Sequence, residues 1–178
     1  TSGDFDVNDL IGFSGDNIIV TRTDMNHATE IYSYNLKKKT WLQITKTNDE
    51  AYAKLALPKY ERRCVTTTDG KKMLVWVILP PNFDKNKKYP ALLYCQGGPQ
   101  SPLTQSYSFR WNFSLMASQG YIVVAPNRRG MYGHGQEWNE KISKDWGGQV
   151  MDDYLSAIDD VSKESYVDKS RLGAVGAS

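Results

Sequence analysis

Three short apolar runs, separated by stretches long enough for a helix, most restrict what this chain can fold into. Residues 90–95 read Pro-Ala-Leu-Leu-Tyr-Cys, residues 121–126 Tyr-Ile-Val-Val-Ala-Pro, and residues 172–176 Leu-Gly-Ala-Val-Gly. None alternates apolar with polar, so each reads as a strand buried on both faces. Between the first two, residues 109–119 read as a helix with Trp111, Leu115 and Met116 toward the core and Gly120 as its stop. Between the second and third, residues 149–163 form an amphipathic helix. Val150, Tyr154, Ile158 and Val161 make its apolar stripe, and Asp152, Asp153, Asp159 and Asp160 are assigned to the wet face. Strand, helix, strand, helix, strand predicts a parallel sheet joined by right-handed crossovers.

The preceding chain has another pattern. Residues 63–67 and 72–79 flank Thr68-Asp69-Gly70 and predict a hairpin, which Pro80-Pro81-Asn82 ends. Residues 9–45 read as a β-meander with strands at 17–23, 31–36 and 40–45, the second placing Tyr32, Tyr34 and Leu36 on one face. Strands at about ten-residue spacing match one propeller blade or a piece of sandwich. One blade cannot bury both its faces, so the chain is expected to be part of a longer polypeptide. A polar, Pro-containing connector at residues 46–60 marks the change of architecture. The expected domains are residues 1–58, blade plus connector, and residues 59–178, part of an α/β domain.

Composition excludes little. Forty per cent hydrophobic residues and 24% charged ones suit a globular domain, and a net charge of +2 gives no electrostatic reason for a nucleic-acid partner. The lysine clusters at 37–39 and 85–88 are turn-length. No apolar run reaches membrane-span length and the first residues carry no signal-peptide pattern, so the compartment stays open. Cys64 and Cys95 lack metal-ligand spacing and read as small buried hydrophobes. No metal or cofactor is expected.

Chemistry enters where the third run continues into Gly176-Ala177-Ser178, the first letters of a G-x-S-x-G nucleophile elbow. A strand ending in an ordinary loop would read the same. A serine hydroxyl attacks a carbonyl when a base takes its proton and fixed donors hold the oxyanion. Gln96-Gly97-Gly98-Pro99 follows the first apolar strand, where hydrolases of this order place one such donor. Both histidines, His27 and His134, precede the serine, whereas the hydrolase order is serine, acid, histidine; each is read as a loop residue. Arg128 and Arg129 open a glycine-rich loop, and an ion pair to Asp145 or Asp152 is expected for one of them. Trp138, Trp146 and Tyr154 are expected to pack.

Six stretches then appear in order: residues 79–83 (Leu-Pro-Pro-Asn-Phe), 97–100 (Gly-Gly-Pro-Gln), 125–130 (Ala-Pro-Asn-Arg-Arg-Gly), 133–135 (Gly-His-Gly), 145–148 (Asp-Trp-Gly-Gly) and 171–178. Together they resemble the prolyl oligopeptidase family of serine peptidases, in its acylaminoacyl- and dipeptidyl-peptidase branch. The resemblance implies an α/β-hydrolase domain preceded by a β-propeller, with residues 1–45 as the last blade. It implies a Ser-Asp-His triad with Ser178 as nucleophile, its acid and base beyond residue 178, and Gly98 as backbone donor to the oxyanion. Position 96 departs from the pattern, carrying Gln where many members have His. The implied substrate is peptide, cut to release dipeptides from amino termini, with no cofactor; these residues alone are expected to be inactive. Acylaminoacyl-peptidase or carboxylesterase action on the same fold is the alternative, and a non-catalytic hydrolase-like binding protein the alternative of another class. The resemblance also leans toward a periplasmic or secreted bacterial protein and leaves a homodimer open.

Overall fold

The computed structural model describes residues 3–178, which divide into two compact units. One takes the chain up to Leu57 together with Thr104–Phe113; the other takes Pro58–Leu103 and Ser114–Ser178.

The first unit is a four-stranded antiparallel meander, β1 (Asp6–Ser14), β2 (Asn17–Thr23), β3 (Glu30–Asn35) and β4 (Thr40–Gln43), in that spatial order. Strand β1 is not among the strands expected from sequence; two register shifts and Gly12 interrupt its pattern. Tyr32 and Tyr34 do share a face, and both meet Trp41 of β4, while Leu36 is exposed beyond the strand end. The Arg22 guanidinium lies 3.7 Å from the Phe5 ring centre and 4.7 Å from that of Tyr32. A short helix α1 (Asp49–Tyr52) follows, and the Tyr52 hydroxyl accepts a hydrogen bond from the Ala28 amide at 2.9 Å.

The second unit is a five-stranded mixed sheet in the order β5 (Lys59–Thr66), β6 (Lys72–Leu79), β8 (Ile122–Pro126), β7 (Tyr89–Cys95) and β9 (Val167–Gly176). Strands β5 and β6 form the expected hairpin, and β6 continues antiparallel onto β8. Strand β7 lies parallel to β8 on one side and to β9 on the other. All five residues of β8 are buried, as its unbroken apolar run requires. The side chains split by the period of the strand. Met73, Val75, Val77, Leu93, Ile122 and Val124 face α4 (Gln149–Val161), whose Val150, Tyr154, Ala157, Ile158 and Val161 complete that core. The short helix α3 (Gln136–Glu140) lies between β8 and α4, and a buried asparagine fixes the loop before α2 (Phe113–Ser118). Asn127 accepts from the Leu103 amide at 2.9 Å and donates to the Leu103 carbonyl at 3.0 Å, and Trp76 donates to the same carbonyl.

Four expectations need correction. The helix expected over residues 109–119 is only the six residues of α2; Leu115 is exposed, Trp111 half-buried, and Ala117 is the residue it buries. Residues 104–113 instead belong to the first unit. The third apolar run is not covered on both faces: most of β9 is exposed, Leu172 included, and among the described residues the strand pairs with β7 alone. Cys64 is exposed, and Cys95 is half-buried, packed against the core rather than within it. Asp153, assigned to the wet face, is fully buried.

Candidate active site

The site arises from strand order. Successive connections from β7 run to β8 on one side and then to β9 on the other, so the chain reverses its winding direction at β7. Loops leaving neighbouring parallel strands at such a point diverge and leave a crevice at their carboxyl ends, the usual ligand position in open α/β sheets. Cys95 and Gly176 are register partners, so residues 96–99 and 177–178 emerge side by side there. They line one cleft of about 520 Å³, together with Arg128, Ile142, Trp146 and Tyr154.

The approach of the two loops is close enough to dictate residue type. A Cβ added to Gly97 would overlap the Ala177 carbonyl oxygen and lie 3.2 Å from the Ser178 Cβ. Any side chain at 97 would push the serine loop away. Gly98 follows with φ of 69°, and its carbonyl accepts from the Ser101 amide at 2.9 Å, closing a turn over residues 98–101. Ser178 is exposed, and its φ of 77° is left-handed, a conformation that a non-glycine residue holds only against a cost of order 1–3 kcal/mol. The structure therefore brings Ser178 and Gly98, the two residues singled out from sequence, to one crevice.

Two adjacent arginines follow β8; Arg128 lines the cleft, and neither arginine pairs with Asp145 or Asp152, the partners expected for one of them. Arg129 is buried at 2% exposure. It forms a bidentate pair with Asp69 at 2.6 and 2.7 Å and a second ion pair with Asp153 at 3.1 Å, while its amide donates to Asp153 at 2.9 Å. Asp145 and Asp152 are not its partners; Asp145 instead accepts from the Gly148 amide at 2.8 Å. Hydrogen bonds from Arg129 and Thr67 hold the Asp69 carboxyl well below the usual carboxylate range. Burial pushes the Asp153 carboxyl up, against the pull of the Arg129 amide and guanidinium. Arg128, 3% exposed, pairs with no carboxylate among the described residues. It donates to the carbonyls of Pro99 at 2.6 Å, Arg129 at 2.7 Å and Gln96 at 3.1 Å, and to the Tyr154 hydroxyl at 3.0 Å.

The remaining candidates fall outside this chemistry. His134 is exposed, with its ring 6.1 Å from that of Trp138, and does not line the cleft. His27, in the first unit, is held by Asp24 at 2.8 Å, and that hydrogen bond raises its pKa. Trp138 and Tyr154 are buried as expected, whereas Trp146 is exposed on the cleft wall. Among the described residues no cluster of His, Cys, Asp and Glu is arranged to hold a metal, and no helix is long and apolar enough to cross a membrane.

The sequence profile of the prolyl oligopeptidase family matches residues 107–178, the stretch that supplies α2, β8, α4 and the serine strand. That stretch is similar to the prolyl oligopeptidase family. Over 172 residues it is 51% identical to dipeptidyl-peptidase 5 of Porphyromonas endodontalis, covering 96% of this chain and 25% of that protein. It is equally 51% identical to dipeptidyl-peptidase 5 of Porphyromonas gingivalis over 178 residues, 100% of this chain and 26% of the relative. The chain thus spans about a quarter of the length of the curated relatives it matches. Among solved structures, the acylaminoacyl peptidase of Pyrococcus horikoshii superposes with a TM-score of 0.83 at 22% identity, covering 98% of this chain and 27% of that one. The fold is accordingly that of a prolyl oligopeptidase-type chain: an antiparallel meander of propeller-blade form, followed by part of an α/β-hydrolase domain.

Proposed function

We propose that this chain carries the nucleophile and one oxyanion donor of a serine peptidase that releases dipeptides from peptide amino termini. The carrying observation is the close approach of Gly97 to Ala177 and Ser178, with Gly97, Gly98 and Ser178 lining one crevice. On this reading the Ser178 Oγ attacks the scissile carbonyl and loses its proton to a histidine base. The carbonyl oxygen becomes an oxyanion that accepts from the Gly98 amide. The tetrahedral adduct collapses to an acyl-enzyme, and the amine leaves with the proton from the base; water then repeats the sequence and frees the dipeptide. The acid and base come from outside this chain, in the order serine, acid, histidine. The chain accordingly works as part of a longer polypeptide, with residues 1–58 as blade and connector and residues 59–178 as part of the catalytic domain.

Identity to two dipeptidyl-peptidases 5 favours dipeptide release over acylaminoacyl or ester hydrolysis. The test uses the complete polypeptide with dipeptidyl and acetyl-aminoacyl amides of the same leaving group. Turnover of the dipeptidyl amide, abolished in Ser178→Ala by up to about a millionfold, is the expected result. Preference for the acetylated amide would move the reading to an acylaminoacyl peptidase. Undiminished turnover in Ser178→Ala would end it.

A further inference from the structure

The buried guanidinium of Arg128 has a task that a core ion pair does not explain. Taking a charge out of water is costly unless charge or dipoles compensate it, and among the described residues no carboxylate does so. Backbone carbonyls do, and two of them belong to the loop proposed to bind the oxyanion. Nη2 donates to Gln96 O at 3.1 Å and Nη1 to Pro99 O at 2.6 Å. The peptide group is planar, and in its trans form the N–H points opposite to the C=O. Fixing the Gln96 carbonyl on Arg128 therefore fixes the direction of the Gly97 N–H. Fixing the Pro99 carbonyl pins the second residue of the turn that begins at Gly98. The Gly97–Gly98 peptide, which carries the proposed oxyanion donor, lies between these anchors.

Tyr154 completes the clamp. Its hydroxyl accepts from Arg128 Nε at 3.0 Å and its ring lies 5.6 Å from the guanidinium carbon. The stem that places Tyr154 is the buried face of α4. In this chain the side chain of Gln96 is occupied, accepting from the Tyr94 hydroxyl at 2.8 Å, so it is not what orients the loop backbone.

We infer that Arg128, braced by Tyr154, is a positioning residue that sets the backbone N–H groups of Gly97 and Gly98 toward the oxyanion. The inference rests on the reading of Ser178 and Gly98 proposed above. A planar fork can hold two carbonyls at fixed angles, whereas a lysine ammonium at the same place is a single point of attachment. The effect belongs to the transition state, because the donors matter most where charge develops.

In the complete polypeptide, Arg128→Met is expected to lower kcat by about a hundredfold, the scale of losing one oxyanion donor, with KM nearly unchanged. Affinity for a dipeptide boronic acid, which forms a tetrahedral adduct on serine, falls in parallel, while affinity for the product dipeptide holds. Arg128→Lys falls between parent and Met variant. If Arg128→Met does not fold, Tyr154→Phe carries the test, with a loss of about tenfold in kcat and the same split. Unchanged kcat, or a rise in KM alone, or a loss of kcat with undiminished boronate affinity overturns the inference. A parent enzyme whose Ser178 takes no fluorophosphonate and whose Ser178→Ala variant keeps turnover overturns instead the reading of the site.

Discussion

Arg128 and Arg129 are neighbours in sequence and equally buried, yet they live in opposite chemical company. Arg129 sits among carboxylates that tie the β5–β6 turn, through Asp69, to α4, through Asp153. Arg128 sits among carbonyls that belong to the crevice loop. Carboxylates neutralise a buried cation and join distant elements, so their region answers to stability. Carbonyl dipoles neutralise it less completely and gain orientation in exchange, so on the proposed reading that region answers to turnover. The pair shows one loop of sequence serving two ends, with the division set by which way each side chain leaves the end of β8.

The largest expected effect lies on the stability side. Asp153→Ala strands Arg129 half-compensated in the core and is expected to cost about 3–5 kcal/mol in chemical denaturation of the complete protein. The folded fraction should retain the kcat of the parent; a comparable loss of kcat would break the division between the two regions. Next comes the crevice itself. Gly97→Ala forces its methyl into the Ala177 carbonyl and displaces the serine loop, with an expected fall in kcat/KM of about a hundredfold and little change in denaturation midpoint. A stable variant with parental turnover would show that the contact is incidental.

The smallest effect is in pH. The folded-state pKa of Asp69 is depressed by Arg129 and Thr67, so the stability it contributes is present above its ordinary value and lost as pH falls through the folded one. Acid destabilisation should therefore begin below about pH 4, and Asp69→Asn should flatten that limb of the stability curve while lowering the plateau. An Asn variant with the parental acid limb would remove Asp69 from the network.

Much of this was legible from residues because local pattern and burial agree there. The unbroken runs at β7 and β8, the hairpin about Asp69 and the stripe of α4 are consistent in period and composition, and they place the crevice loops without further information. The failures share a cause: each depends on a partner distant in sequence. Asp153 reads as solvent-facing by charge, yet it lies three residues after Val150 and four before Ala157, on the border of the buried stripe. Arg129, brought in by β8, pairs with it and makes burial tolerable there. The apolar run of β9 says that it pairs, but not that most of it is exposed. The hydrophobic residues of 109–119 suggest a helix, but the chain commits Phe109, Trp111 and Phe113 to the first unit. At Arg128 the residue type was visible and its carbonyl partners were not, since backbone acceptors leave no mark in sequence.

The most direct measurement is a crystal structure of the complete polypeptide after reaction with a dipeptidyl phosphonate. The account expects phosphorus bonded to Ser178 Oγ and a phosphoryl oxygen within about 3 Å of the Gly98 amide nitrogen, with Arg128 still holding the carbonyls of Gln96 and Pro99. A phosphoryl oxygen directed away from residues 97–98, or phosphorus bonded to another side chain, would contradict it.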